Sequence, residues 1–307
     1  MGQQKIIVVG SSNTDMVLKS SNLPLPGETV LGGKFTMNPG GKGANQAVAA
    51  ARLGGNVIFI ARVGNDTFGK QAIKGFKSHG IDTRFITKDR DEASGVALIM
   101  VDDKGENCIS VALGANAALL SNHLKPALEE LKKSAFILTQ LESPLPTIEY
   151  LGQLALEYDL KLILNPAPAQ PFSDTLMSSL YMITPNEIEA ELLSGIQVKD
   201  GDSARRAAKI LRQKGVNIVI ITMGSQGAYV LSDELDELVT SQKVKVVDTT
   251  AAGDTFNGAL VVALSEGMDL KSAIEFANGA AAYAVGILGA QMSAPLRKDI
   301  EKPTKIV

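Results

Sequence analysis

Two rhythms of apolar residues alternate along the chain. Short, nearly unbroken apolar runs, KIIVVG (5–10), NVIFIARVG (56–64), AFILTQ (135–140), KLILN (161–165), YMIT (181–184) and NIVIIT (217–222), have the pattern of strands buried on both faces. Between them, apolar positions fall three and four apart in GANQAVAAARLG (43–54), FGKQAIKGFKSHG (68–80), a run through Ile148 to Tyr158, a short run before YMIT, one from Asn186 and SARRAAKILRQKG (203–215). That spacing predicts helices. Their alternation predicts an α/β fold: a mostly parallel, doubly wound sheet with helices on both faces. Ligands of such sheets gather beyond the carboxyl ends of the strands. Near the end, KVKVV (243–247) alternates like a strand, and Phe256, Ala259, Leu260, Ala263 and Leu264 fall at helical spacing. The stretch between, DTTAAG, is therefore expected to turn a strand into a helix. FANGAAAYAVGILGAQ (276–291) reads as a close-packed buried helix.

Two segments interrupt the series. Residues 16–37 carry short strand signals among turn residues, and residues 93–113 predict a hairpin turning at DDKG. Together they are expected to form a small β-sheet lid apart from the main sheet; two unrelated surface hairpins are the alternative.

At 307 residues the chain could hold two domains or one large α/β domain, and no linker, repeat or low-complexity tract divides it, so a single domain over 1–307 is expected. The net charge of −3, with no dense Lys/Arg run, argues against nucleic acid or membrane as partners. The single cysteine, Cys108, cannot form an internal disulfide, and IIVVG is too short for a signal or spanning segment. A soluble cytoplasmic protein is expected. Neither His79 nor His123 has an acid, nucleophile or second ligand beside it in sequence, which speaks against a zinc site or a Ser-His-Asp triad.

The turn TTAAGD (249–254) is almost bare of side chains, yet it ends in a carboxylate. Helix amino ends carry unsatisfied N–H groups and attract anions. Small residues at Ala251, Ala252 and Gly253 would let an anion approach those groups, with Asp254 facing it from the first turn. An anion hole beside a carboxylate suits phosphoryl transfer, the carboxylate taking the proton of the attacking hydroxyl. The plainer reading is that Asp254 caps the helix.

NPGGKGANQ (38–46) is a second glycine-rich site but not a Walker A loop, because Thr36 stands where its first glycine belongs and Gly43 follows the lysine. Gly40, Gly41 and Gly43 permit close backbone approach, Lys42 and Asn45 offer donors, and Asn13 and Asp15 lie just past the first strand. These residue types suit the hydroxyls of a polyol, although Asn13 alone could be a turn residue. Glu142 also follows a strand and belongs to the same crevice or is an exposed loop acid. Asn186 and Glu189 share one helix face, where Glu189 could organise Mg²⁺ through water or simply help start the helix. Thr222, Gly224 and Gly227 form a G-x-x-G loop that could receive a nucleotide.

Together these stretches resemble the ribokinase-like (PfkB) carbohydrate kinase family, from GSSNTDMV (10–17) through PGETV, GGKGANQAVAAARLG, TQLESP, NPAPA, ITPNEIEAE and DTTAAGDTFNGAL to GAQMS (289–293). The resemblance implies phosphorylation of D-ribose on its 5-hydroxyl by ATP with Mg²⁺. It implies that Asp254 is the base and that 251–253 form the anion hole. By the same resemblance Asn13, Asp15, Gly41, Lys42, Asn45, Glu142 and Asp254 hold the sugar, and Asn186, Thr222, Gly224, Gly227, Gly253 and Asn278 hold the nucleotide. It further implies an activating monovalent cation, usually K⁺, at Asp248, Thr250, Ala284, Ile287, Gly289 and Ser293, and a homodimer through the lid sheets. Ile287 and Leu288 stand where the family often has basic residues, which leaves the detail of that cation site open. The alternatives are a kinase for 2-deoxyribose, fructose or a nucleoside, and a sensor that kept the fold without the chemistry. A dinucleotide-dependent oxidoreductase lacks its glycine fingerprint after the first strand.

Overall fold

The computed structural model describes residues 4–301. The first strand, β1 (Lys5–Val9), sends alternate side chains to opposite faces, with Ile7 and Val9 in one apolar cluster and Ile6 and Val8 in another. Two cores, one on each side of a sheet, follow directly from that alternation. β2 (Asn13–Lys19) and β3 (Lys34–Gly40) leave the series, and α1 (Lys42–Arg52), β4 (Asn56–Gly64), α2 (Thr67–Ser78) and β5 (Ile86–Asp89) resume it. β6 (Gly95–Val101) and β7 (Asn107–Ala112) leave it again. Then come α3 (Leu128–Lys132), β8 (Phe136–Thr139), α4 (Leu145–Tyr158), β9 (Leu162–Leu164), α5 (Asp174–Ser178) and β10 (Met182–Ile183). The chain continues as α6 (Glu187–Ser194), α7 (Gly201–Gln213), β11 (Ile218–Thr222), β12 (Ala228–Leu231) and β13 (Asp236–Val239). It closes with α8 (Ala252–Ser265), α9 (Leu270–Ala284) and α10 (Arg297–Glu301).

Among the described residues, nine strands form the main sheet in the order β13-β12-β11-β10-β9-β8-β1-β4-β5. All neighbouring pairs from β11 to β5 are parallel, and β12 and β13 add an antiparallel edge. One core packs α4 and α7 against the sheet, and the other packs α1, α8 and α9. This is the expected α/β arrangement.

A smaller sheet holds β3, β2, β6 and β7. β2 pairs with β6 in parallel, from Asn13↔Gly95 to Lys19↔Val101, so the two interrupting segments form one sheet and not separate hairpins. Its strands begin and end slightly outside the expected bounds, at Asn13 and Gly40, which places Asn13 and Asp15 in β2. The turn between β6 and β7 is held by Asp102, whose carboxylate accepts the amides of Lys104 and Glu106.

Two expectations are corrected. KVKVV (243–247) is not a strand: the amides of Val247 and Asp248 both donate to the carbonyl of Val285, so the segment is anchored to the turn after α9 with no ladder partner. The helix expected over 276–291 stops at Ala284, where a run of turns containing Gly286 and Gly289 follows. Gly289 takes φ +96°, outside helical geometry. No helix among the described residues is long and apolar enough to cross a membrane.

Candidate active site

Two helices bring the site together. Gly258 on α8 lies against α1, where a Cβ would come within 2.7 Å of the Ala49 Cβ and 2.8 Å of the Gln46 carbonyl. This close approach sets the first turn of α8 beside the first turn of α1. At the head of α1, Gly41 adopts φ +88°, and a Cβ there would meet the Asn13 amide at 2.7 Å. Only glycine lets the helix start so near the loop after β1.

The amino ends of the helices differ. α2, α5, α6, α7 and α9 are each capped by an Asp, Ser or Asn side chain, respectively Asp66, Ser173, Asn186, Asp200 and Asp269. α8 begins instead on Ala251 in the left-handed region, φ 59°, with no side-chain cap. Ala251, Ala252 and Gly253 line a cavity of about 200 Å³ together with Asp254, Lys42, Asn165, Ala167, Thr184, Asn186, Glu189, Thr222, Thr249 and Asn257. A non-glycine residue held at positive φ is costly and concentrates at functional sites. Asp254 is not the cap of its helix. Its Oδ2 accepts from the Asn45 Nδ2 at 2.9 Å and its Oδ1 from the Gln46 Nε2 at 3.0 Å.

Beside this carboxylate stand three more. Glu142 Oε2 accepts from the Ser11 hydroxyl at 2.5 Å and from the Lys42 amide at 3.0 Å, so it closes the amino end of α1 and is not a free loop acid. Burial, followed by the charges of Glu142 and Asp254, lifts the Asp15 pKa to about 6. Burial also raises Asp254, against the opposing pull of Lys42 and the amides of Asn45 and Gln46. Burial works against the Lys42 charge, yet Asp254, Glu142, Glu189 and Asp15 outweigh it and raise the ammonium's pKa. Lys42 is thus a partly buried cation among carboxylates. Asn45 Oδ1 is buried with no hydrogen-bond partner among the described residues, an acceptor aimed at a donor that the protein does not supply.

Of the expected nucleotide residues, Asn186 and Thr222 meet through a parallel bridge and line the cavity. Glu189 lines it too, with Oε2 accepting the Asn186 amide at 2.9 Å in a capping box, so the cap and a ligand role are compatible. Burial raises its pKa. Gly224 opens the turn between β11 and β12 and Gly227 closes it, while Asn278 is buried and donates to the Val239 carbonyl at 3.0 Å; none of the three lines the cavity. At the expected cation site, Asp248 accepts from the amides of Thr250 and Gly289, both at 2.9 Å, joining the two loops. Burial opposes its charge, but the hydrogen bonds from Thr250 and Gly289 prevail and lower its pKa. Ala284 accepts the Ile287 amide, and the Ser293 hydroxyl donates to the Ala290 carbonyl within the same turn.

The sequence reading missed Asn165, Thr184, Thr249 and Asn257 as lining residues, and Gln46 behind them. Asn165 follows β9 and Thr184 follows β10, so the rule that ligands sit beyond strand carboxyl ends would have found both. His123 stands elsewhere, its Nε2 against the Arg62 guanidinium, and His79 ends α2.

Comparison with known proteins agrees with this geometry. Residues 3–297 match the pfkB family carbohydrate kinase profile. The chain is 43% identical over 297 residues to the ribokinase of Haemophilus influenzae, covering 97% of both chains. It is 36% identical over 291 residues to the deoxyribokinase of Salmonella typhi, covering 94% of this chain and 95% of that one. The structure of Arabidopsis thaliana ribokinase complexed with ribose and ATP superimposes with a TM-score of 0.91 at 29% identity, covering 100% of both chains. With the family profile matched over nearly the whole length and relatives at 43% and 36% identity, the chain belongs to the pfkB family of carbohydrate kinases.

Proposed function

We propose that this chain transfers the γ-phosphoryl group of ATP to the 5-hydroxyl of D-ribose, giving D-ribose 5-phosphate and ADP. The observation that carries the reading is Asp254, a buried carboxylate at the uncapped amino end of α8, opening on a cavity. Asp254 takes the hydroxyl proton while the sugar oxygen bonds to the γ-phosphorus. The bond from that phosphorus to the bridging oxygen breaks, and the electron pair leaves with ADP. The amides of 251–253 receive the charge on the transferring group, and positioning does most of the remaining work. Asn13, Asp15, Gly41, Lys42, Asn45 and Glu142 hold the sugar; a ribose hydroxyl is the donor that suits Asn45 Oδ1. Asn186, Thr222, Gly224, Gly227, Gly253 and Asn278 hold the nucleotide.

Magnesium suits the hard oxygen donor that Glu189 turns to the cavity, and when bound through water there it neutralises phosphate charge. A monovalent cation such as K⁺ suits Asp248 with the oxygens of Thr250, Ala284, Ile287, Gly289 and Ser293, because Asp248 already ties both loops together. A coupled ADP-release assay over ribose, 2-deoxyribose, fructose and adenosine, with and without K⁺, tests the whole reading. Ribose is expected to give the highest kcat/KM and K⁺ to raise it. A site that hydrogen-bonds a hydroxyl can reject the analogue lacking it by as much as ~10⁴-fold. A preference for 2-deoxyribose, or ribose binding without ADP release, would overturn it.

The small sheet is the lid, and a second copy covers its outer face. Strand register places Phe35, Met37 and Leu98 on the face opposite Asp15, and they are 58%, 49% and 56% exposed. Apolar clusters of this kind mark interfaces, and an isologous pairing of two such sheets closes as a dimer. Leu98→Glu is expected to convert dimers to monomers in analytical ultracentrifugation; wild-type protein that sediments as a monomer would defeat the assembly.

A further inference from the structure

Gln46 is fully buried, and every polar atom of its side chain is committed. Its Nε2 donates to Asp254 Oδ1 and to Asn165 Oδ1, both at 3.0 Å, while its Oε1 accepts from Gln140 Nε2 at 2.5 Å. Asn165 in turn donates through Nδ2 to the Thr184 carbonyl at 3.0 Å, which leaves its Oδ1 to accept. The Thr184 hydroxyl donates to Asn257 Oδ1 at 2.6 Å, and Asn257 Nδ2 donates to the Gly253 carbonyl at 2.8 Å. A hydrogen-bonded path through the amides of Gln46, Asn165 and Asn257, bridged by Thr184, therefore runs from the proposed base to the turn of the proposed anion hole. Its members are neutral and do not titrate, so they can hold a carboxylate without competing for its proton.

A buried apolar side chain would fill this space without the desolvation cost of an amide. The direction of the hydrogen bonds supplies the reason for glutamine. With Oε1 pinned by Gln140, the Gln46 amide can present only N–H to Asp254 Oδ1. That oxygen then stays an acceptor before and after proton transfer, and Oδ2 in turn accepts from Asn45 Nδ2, so both oxygens of the carboxylate are held by amide N–H donors. We infer that Gln46, oriented by Gln140 and Asn165, is a positioning residue that holds the Asp254 carboxylate in place and favours its ionised form. The inference rests on the reading of Asp254 as the base.

The test is the pH profile of kcat, at saturating ribose and MgATP, for Gln46→Met and Gln140→Leu. Removing a hydrogen bond to a carboxylate raises its pKa, so the acid limb should move to higher pH, by about one unit in Gln46→Met. Away from that limb kcat should fall ~10-fold or more, while KM for ATP stays within about twofold, because the lost contact acts on the proton transfer. Gln140→Leu keeps the contact to Asp254 and loses only its orientation, so a smaller shift in the same direction is expected. A pH profile unmoved in both variants would overturn the inference, as would a loss of rate uniform across pH that follows a fall in Tm. Should Gln46→Met fail to fold, Gln140→Leu still decides. Asp254→Asn as a control separates the two readings: wild-type turnover there ends the base assignment, whereas an inactive Asp254→Asn beside unshifted Gln46 and Gln140 variants ends this inference alone.

Discussion

Asp254→Asn should bind ribose and ATP nearly as the wild type does and lose turnover by about 10²-fold or more, the scale of general acid–base participation. The substitution is close to isosteric and occupies a pocket already shaped for two amide donors, Asn45 Nδ2 and Gln46 Nε2. An asparagine oxygen can accept one of them, so the fold should survive, and the missing function is the capacity to take a proton. Stability should change little, because relief of the buried charge is offset by the second amide donor, which loses its acceptor. The measurement is calorimetric binding of each substrate beside single-turnover ADP formation. Wild-type turnover would remove Asp254 from the mechanism.

Gly253→Val should be nearly as damaging, for a different reason. A Cβ built on Gly253 finds no atom within 4 Å, and the residue lines the cavity. A Cβ there is accommodated without a close contact, and the added side chain stands at the wall of the cavity where, on the proposed function, the phosphoryl group lies. Helix propensity changes little in a first turn, so Tm should stay close to that of the wild type. Turnover should fall by ~10² to 10³, the usual scale for losing one donor of an anion hole, and KM for ATP should rise. Thermal melts paired with kcat and KM check this; unchanged kinetics would mean that the anion binds elsewhere.

The fold was largely legible because its determinants are local. Ile6 to Val9 are all fully buried, and an unbroken apolar run predicts a strand covered on both sides. The two interrupting segments were legible as strands, and their parallel pairing through β2 and β6 explains why they belong together. KVKVV misled because alternation records which face is wet, not whether a neighbouring strand exists. Here the available acceptor was the Val285 carbonyl, contributed by a distant turn. The helix over 276–291 was overextended because small apolar residues pack equally well in a helix or a tight turn, and Gly286 and Gly289 decided for the turn.

The site was legible where a residue type is unusual for its place. The denuded turn before Asp254 has no structural excuse, and it proves to be a helix start at positive φ without a side-chain cap. Lys42, Asn186, Glu189 and Thr222 follow the same logic and share its cavity. Gln46 was not legible, because a glutamine inside an alanine-rich helix looks like a solvent-facing residue until α8 is packed against it. Asn165 and Thr184 stand just past β9 and β10, where the strand-end rule points, yet what they hold was hidden. Their partners come from across the fold, and no spacing rule reports that.

β2 has a mechanical corollary. Its first residue, Asn13, is buried and accepts from Asn116 Nδ2, while its last, Lys19, lies out in the small sheet, joined throughout to β3 and β6. A stiff ribbon of this kind works as a lever with its short arm in the crevice. On the proposed function, tilting the outer end would displace Asp15 as well, so the cover would not swing aside and leave the sugar's full set of contacts intact behind it. Grip and enclosure would then share a single part, and release of the product would loosen both in the same stroke.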